Sequence, residues 1–146
     1  MQLAPSAPQG SPAWVAGEFI EAYYGVSYTW PYLAYWTELV KPYVTPALYR
    51  HFVYQAHADH TAYFARLQRE EVLWAPDVQE AAVDTNAPNT PGKRYVMVTF
   101  RFDALGPNEP QGGVLIGPVM ARQCVVVRSA PKAPWQVASY SAPNAD

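Results

Sequence analysis

Positive charge is scarce in this chain, and no more than two Lys or Arg residues stand side by side. Its 146 residues contain ten Lys and Arg against twelve Asp and Glu, for a formal net charge of −2. General nucleic-acid binders need clustered cations to neutralise phosphates. The composition therefore predicts that nucleic acid is not a partner.

Long hydrophobic runs are also missing. Apolar segments such as residues 113–121 are far shorter than the roughly 20 residues that cross a bilayer. The N-terminus lacks the basic segment and apolar stretch of a signal peptide. Two locations stay open: the cytoplasm, or the outside of the cytoplasm for a domain separated from its membrane anchor.

A single cysteine, Cys124, excludes an internal disulfide and leaves the redox compartment undetermined. It lies in the apolar run 123–127, which favours a buried structural thiol over a reactive one.

Half of the residues are apolar and 15% are charged, which predicts a folded domain with one core. Residues 1–10 are rich in Ala, Pro, Ser and Gln without a charged side chain, as is typical of a flexible leader. We expect a single domain over residues 11–146.

Apolar periodicity predicts three helices in the first half of the domain. Ser-Pro at 11–12 and Thr-Pro at 45–46 each place a capping residue before a proline. The first predicted helix runs from Ser11-Pro12 to Gly25, and the second covers residues 33–40. The third runs from Thr45-Pro46 to Leu67, with a break near Asp59. The apolar stripe of the third comprises Tyr49, Val53, Ala56, His60, Tyr63 and Leu67.

From Glu70 onward the period falls to two, which predicts strands at 71–74 or 78–83, 95–104, 119–127 and 135–140. In the clearest strand, Val96, Val98, Phe100 and Phe102 share a face that we expect to be buried against helices one and three. Helices followed by strands indicate an α+β fold: three N-terminal helices packed on the concave side of a curved antiparallel sheet of about four strands.

Three phrases carry a resemblance to a known fold: Phe-Ile-Glu-Ala-Tyr-Tyr at 19–24, the helix–Pro-Tyr-Val-Thr-Pro–helix segment at 36–52, and Trp-Gln-Val at 135–137. From 11 to 140 the chain resembles the cone-shaped NTF2-like fold. More narrowly, it is similar to the extracytoplasmic domains of VirB8-like and TcpC-like components of conjugative type IV secretion systems. Mce-associated membrane proteins look similar too.

The resemblance implies a membrane-anchored structural protein outside the cytoplasm, without enzyme activity or cofactor. It would act through contacts with other secretion proteins or with copies of itself, and a transmembrane helix would precede the domain. NTF2-like domains also serve as enzymes and binding proteins. The alternatives are a small enzyme or ligand-binding protein that uses the cone as a pocket, and a lipid-handling accessory protein.

His51, His57 and His60, with Asp59, form the one cluster that suggests a metal. Only His57 and His60 share a helix face, and zinc needs three or four protein ligands. We predict no metal site.

An enzyme would need acids or bases aimed into the cone. The inner face of the clearest strand, Val96, Val98, Phe100 and Phe102, offers none. His60 and Tyr63 are therefore the pocket candidates, if their helix turns them inward. No phosphate-binding loop or nucleophile motif is present. The sequence predicts no catalytic activity.

Aromatic side chains are concentrated between helices one and two, with seven Tyr and Trp in fourteen residues. We expect Tyr23 and Trp36 to fill the core. The others exceed what one helix junction buries, and exposed Tyr and Trp favour protein interfaces. The predicted contact surface, the aromatic corner, comprises Tyr24, Tyr28, Trp30, Tyr32 and Tyr35.

Overall fold

The computed structural model describes residues 7–56 and 61–142. In it, a helix begins at each of the two dipeptides Ser11-Pro12 and Thr45-Pro46. Helix α1 spans Pro12–Tyr24, and the Ser11 hydroxyl accepts a hydrogen bond from the Trp14 N–H at 3.3 Å. Helix α3 spans Pro46–Gln55, and the Thr45 hydroxyl accepts from the Leu48 N–H at 3.2 Å. These bonds satisfy N–H groups that the helices themselves leave unpaired.

Two shorter helices complete the helical half. Helix α2, Trp36–Val40, lies between 3₁₀ turns at Leu33–Tyr35 and Lys41–Tyr43. Helix α4 is Thr61–Arg69. Among the described residues, four helices therefore replace the three that we predicted, because α3 and α4 are separate helices.

The buried positions of the divided helix also differ from the predicted stripe. Phe52 is fully buried in α3, whereas Tyr49 and Val53 are partly buried. Leu67 is the buried side chain of α4. Each helix thus has its own anchor. His57, Asp59 and His60 lie outside the described residues, as do residues 1–6 of the predicted leader.

Five strands form one curled antiparallel sheet in sequence order: β1 (Val26–Ser27), β2 (Leu73–Val83), β3 (Lys93–Ala104), β4 (Val114–Val127) and β5 (Gln136–Ser141). The count exceeds the predicted four by β1, which is two residues long. The two alternative first strands are one continuous β2. Register shifts in all three long pairings bend and twist the strands locally.

The inner face of β3 is largely as predicted: Val96, Val98 and Phe100 have no solvent exposure and α1 packs against this strand, whereas Phe102 is only partly buried. Cys124 lies opposite Val96 and is also buried. Burial raises the pKa of the Cys124 thiol to about 12, so it is a protonated packing group at neutral pH.

Helix α1 crosses the sheet and packs against β2, β3, β4 and β5. Its Phe19 and Ile20 are fully buried, and the Phe19 ring stacks at 6.2 Å from that of Phe52 in α3. One continuous core thus joins α1 and α3 to the sheet. Within the described residues, no helix has both the length and the apolar character needed to cross a membrane.

Candidate functional site

A cavity of about 420 Å³ opens where the C-terminal end of α1 meets α4 and the segment that joins α1 to α2. We call it the aromatic cavity, because five of its lining residues are aromatic: Tyr23, Tyr24, Trp30, Trp36 and Tyr63. Gly25, Val26, Leu33 and Leu67 complete the described lining. Its size lies within the range of small-molecule pockets.

The end of α1 sets one wall of the cavity and depends on Gly25. A Cβ atom at this position would lie 2.9 Å from the carbonyl oxygen of Glu21. The chain then enters β1, which pairs with β2, and the Tyr28 N–H donates to the Val72 carbonyl at 2.8 Å. These bonds fix the segment that carries Trp30.

Helix α4 supplies the opposite wall through Tyr63 and Leu67. It ends in two backbone bonds, from Val72 N–H to the Leu67 carbonyl and from Glu71 N–H to that of Gln68, with Glu71 in the left-handed region at φ 51°. This pattern is a Schellman motif. Leu67 is buried, whereas Tyr63 is 49% exposed, so α4 contributes one buried and one solvent-exposed side chain to the cavity lining.

Tyr23 joins the cavity to the core. Its ring lies 5.0 to 5.5 Å from those of Phe19, Trp36, Phe52 and Tyr140. Edge-to-face and tilted contacts of this kind stabilise the rings in fixed orientations. The inner wall of the cavity is therefore preorganised.

Tyr24 connects the cavity to a cation on the sheet. The Arg122 Nε–H donates to the Tyr24 hydroxyl at 2.9 Å, and the guanidinium carbon lies 5.5 Å from the ring centroid. Arg122 lies opposite the buried Val98, which places it on the inner face of the sheet. Burial raises the pKa of Tyr24, an effect that the Arg122 hydrogen bond partly offsets.

A second hydrogen bond joins Tyr140 to Tyr23. The Tyr140 hydroxyl donates to the Tyr23 hydroxyl at 2.6 Å. Burial, followed by this hydrogen bond, raises the pKa of Tyr140. We call Tyr23, Tyr24, Arg122 and Tyr140 the tyrosine–arginine cluster. Tyr24 and Tyr140 remain protonated at neutral pH and act as hydrogen-bonding groups.

Among the described lining residues of the aromatic cavity, the tyrosine hydroxyls are the only ionisable groups. Within residues 7–56 and 61–142, no group of three or more His, Cys, Asp or Glu is placed to hold a metal ion.

The aromatic corner is divided by the structure. Tyr24 and Trp30 line the cavity, and Tyr28 and Tyr35 are partly buried. Tyr32 is 49% exposed and its ring meets that of Tyr35 edge-on at 5.8 Å. Tyr23 and Trp36 pack against the core, as we expected.

Tyr63 was predicted as a pocket residue for the alternative of a small enzyme or ligand-binding protein. It lines the same cavity as Tyr24 and Trp30. Members of the two sets of candidates, Tyr24 and Trp30 of one and Tyr63 of the other, thus meet at one place, whereas Tyr28, Tyr32 and Tyr35 are not in its described lining. His60, the other pocket candidate, lies outside the described residues. His51 is exposed on α3.

Arg122 and Tyr140 were not predicted from the sequence. Arg122 alternates in phase with Met120, Cys124 and Val126, which places all four on one strand face. An arginine in phase with apolar residues is the signal that could have identified it.

No family model matches the chain, and a search of curated proteins finds no match. Neither comparison identifies an NTF2-like or VirB8-like relationship, which stays a prediction from the sequence.

Proposed function

We propose that this domain binds a small, largely apolar molecule in the aromatic cavity. The observation that carries the proposal is the cavity itself: about 420 Å³, walled by five aromatic rings and bordered by tyrosine hydroxyls. Pockets that hold small molecules combine an apolar lining with a few placed polar groups.

Binding fits the site better than catalysis does. The described lining has no carboxylate, and the Cys124 thiol is buried with its pKa raised to about 12. A nucleophile or general base needs a pKa near the working pH. Rings already held by their neighbours lower the entropy that binding costs.

The test uses N-phenyl-1-naphthylamine, a neutral aromatic probe whose fluorescence rises in apolar sites. Tyr63→Ala removes a ring from the cavity, and Tyr54→Ala removes a 79% exposed ring that is not part of its lining. We expect saturable binding to the wild type, about five- to tenfold weaker binding to Tyr63→Ala, and no change in Tyr54→Ala.

Leu33→Trp adds bulk inside the cavity and should remove binding. The proposal is overturned if the probe does not bind, or if Leu33→Trp and Tyr63→Ala, both folded by near-ultraviolet circular dichroism, bind it as the wild type does.

An assembly role is the second candidate, favoured by a cluster of exposed apolar side chains on the two faces of one end of the sheet. Register places Trp74 and Val114 beside Ala104 on one face, and Leu115 beside Asp103 on the other. With Leu105 and Val119, these side chains are 39–57% exposed. Exposed apolar groups of this kind are typical of protein contact sites.

This cluster, together with the sequence resemblance, supports the proposal of a VirB8-like, membrane-anchored assembly protein outside the cytoplasm. Its partners would be other secretion or conjugation proteins, or copies of itself. Sedimentation velocity of the wild type, Val119→Asp and the control Tyr54→Asp tests self-association. We expect Val119→Asp alone to shift the protein toward monomer, and a wild type that is monomeric at high concentration contradicts self-assembly.

A further inference from the structure

Arg122 is a cation in an apolar setting. Its neighbours on the inner face of β4 are Met120 and Cys124, and Val98 lies opposite on β3. The side chain is partly buried. Within the described residues, no carboxylate lies within 4.0 Å of its guanidinium group. The ion pair that the described residues do contain is a separate one, between Arg66 and Glu70. Partial removal of a charge from water without a counter-charge has a cost, and an anion close to Arg122 would reduce it.

The hydrogen bonds of Arg122 leave donors unused. Nε donates to Tyr24 and Nη1 donates to the Ala121 carbonyl at 2.8 Å. A guanidinium group carries five N–H bonds, and those of Nη2 have no acceptor among the described residues.

The hydroxyls of Tyr23 and Tyr24 are also free to act as hydrogen-bond donors. Tyr24 accepts from Arg122, and Tyr23 accepts from Tyr140, so each can donate its own hydroxyl proton elsewhere. Both line the cavity, with ring centroids 4.8 Å apart. Hydrogen bonds in series polarise one another, which strengthens the outer donors.

We propose that the ligand is a monocarboxylate whose aromatic or aliphatic body lies against Trp30 and Trp36 and whose carboxylate accepts a hydrogen bond from the Tyr24 hydroxyl, with the positive charge of Arg122 behind that hydroxyl. This inference rests on the proposed binding function and names its ligand class. Arg122 is not among the described lining residues, so it acts on the carboxylate through Tyr24.

One cation favours a single negative charge over a phosphate dianion. Arg122 is the described cation that is hydrogen-bonded to a cavity residue. Arg66, on the same helix as Tyr63, is bonded to Glu70 at 2.7 Å and is occupied in that pair.

The experiment compares two probes of equal shape, 2-naphthoate and 2-naphthamide, by isothermal titration calorimetry. In the wild type, 2-naphthoate should bind about tenfold more tightly, because hydrogen bonds to charged groups are the stronger ones. In Arg122→Met the two probes should bind equally.

Arg101→Met is the matched control. Arg101 lies on the opposite face of β3, where its Nε donates to the Gly117 carbonyl at 3.0 Å. It should keep the full preference for 2-naphthoate. Tyr24→Phe, which removes one hydroxyl and leaves the arginine, should lower the preference to about threefold and serves if Arg122→Met does not fold.

Equal affinities in the wild type, or a preference that survives Arg122→Met, overturn the carboxylate inference and leave the cavity as a binding site. If neither naphthyl probe binds, the carboxylate inference also fails. The binding function itself fails only if N-phenyl-1-naphthylamine does not bind either.

Discussion

Replacing Arg122 by Met should leave the free energy of unfolding within about 1 kcal/mol of the wild type. Two hydrogen bonds are lost, to Tyr24 at 2.9 Å and to the Ala121 carbonyl at 2.8 Å. At a partly exposed site each contributes about 1 kcal/mol net, and the cation–π contact with Tyr24 adds about 0.5–1 kcal/mol. The loss is therefore about 3 kcal/mol.

An opposing gain comes from removing the charge. The desolvation penalty of an ion without a counter-charge reaches several kcal/mol when it is fully buried and is smaller for a partly exposed side chain such as Arg122. A Met side chain keeps the apolar stem and packs beside Met120 and Cys124. The two contributions are of similar size and nearly cancel.

Urea denaturation of the wild type, Arg122→Met and Arg101→Met measures this balance, provided that the slope of the free energy with urea is unchanged. If the charge of Arg122 has no such desolvation cost in the folded protein, the lost hydrogen bonds and cation–π contact are not offset and Arg122→Met costs about 3 kcal/mol. A loss of about 3 kcal/mol or more in Arg122→Met would therefore refute the view that the arginine is kept for a ligand.

Three further predictions concern the fold that holds the site. Phe100→Ala should cost about 3–5 kcal/mol in urea denaturation, because the ring is fully buried and supports Tyr24 at 5.2 Å; a cost below 1 kcal/mol would contradict the register. Glu71→Gly should raise the melting temperature, with a gain of about 1 kcal/mol, because Glu71 has φ 51°; an unchanged or lower value would count against the α4 terminus as described. The Cys124 thiol keeps its proton up to a pH of about 12 when folded but loses it above its ordinary pKa of 9.0 when unfolded, so stability is complete below pH 9 and falls between these values. In urea melts at several pH values, the free energy of unfolding of the wild type should fall between pH 9 and 11 by up to about 1.4 kcal/mol per pH unit more than that of Cys124→Ala, and an identical pH dependence would contradict this.

The helix starts and the inner face of β3 could be predicted from the sequence because their causes are local. A hydroxyl three residues ahead of an unpaired N–H acts within one turn, and Val96, Val98 and Phe100 share one strand face by simple alternation. Phe52 was harder to place. Its burial depends on the rings of Phe19 and Tyr140, which come from distant parts of the chain.

The candidate site was predicted only in part, for a physical reason. On β4 both faces are largely apolar with one polar residue each: one carries Met120, Arg122, Cys124 and Val126, and the other carries Val119, Ala121, Gln123, Val125 and Val127. Alternation alone cannot decide which of these faces points inward, and pairing with Val98 decides it. The aromatic corner was visible as a concentration of rings, but the cavity among them requires α4.

Intermolecular nuclear Overhauser effects between a bound naphthyl probe and the tryptophan indoles test the central claim most directly. Trp30 and Trp36 line the cavity, whereas Trp135 lies beneath Arg128, 4.4 Å from the guanidinium carbon to the ring centroid. With 2-naphthoate or 2-naphthamide bound, we predict contacts from the naphthyl protons to Trp30 and Trp36 and none to Trp135. Saturable binding with contacts to Trp135 alone, or no binding of the two naphthyl probes and of N-phenyl-1-naphthylamine at millimolar concentration, would contradict the account.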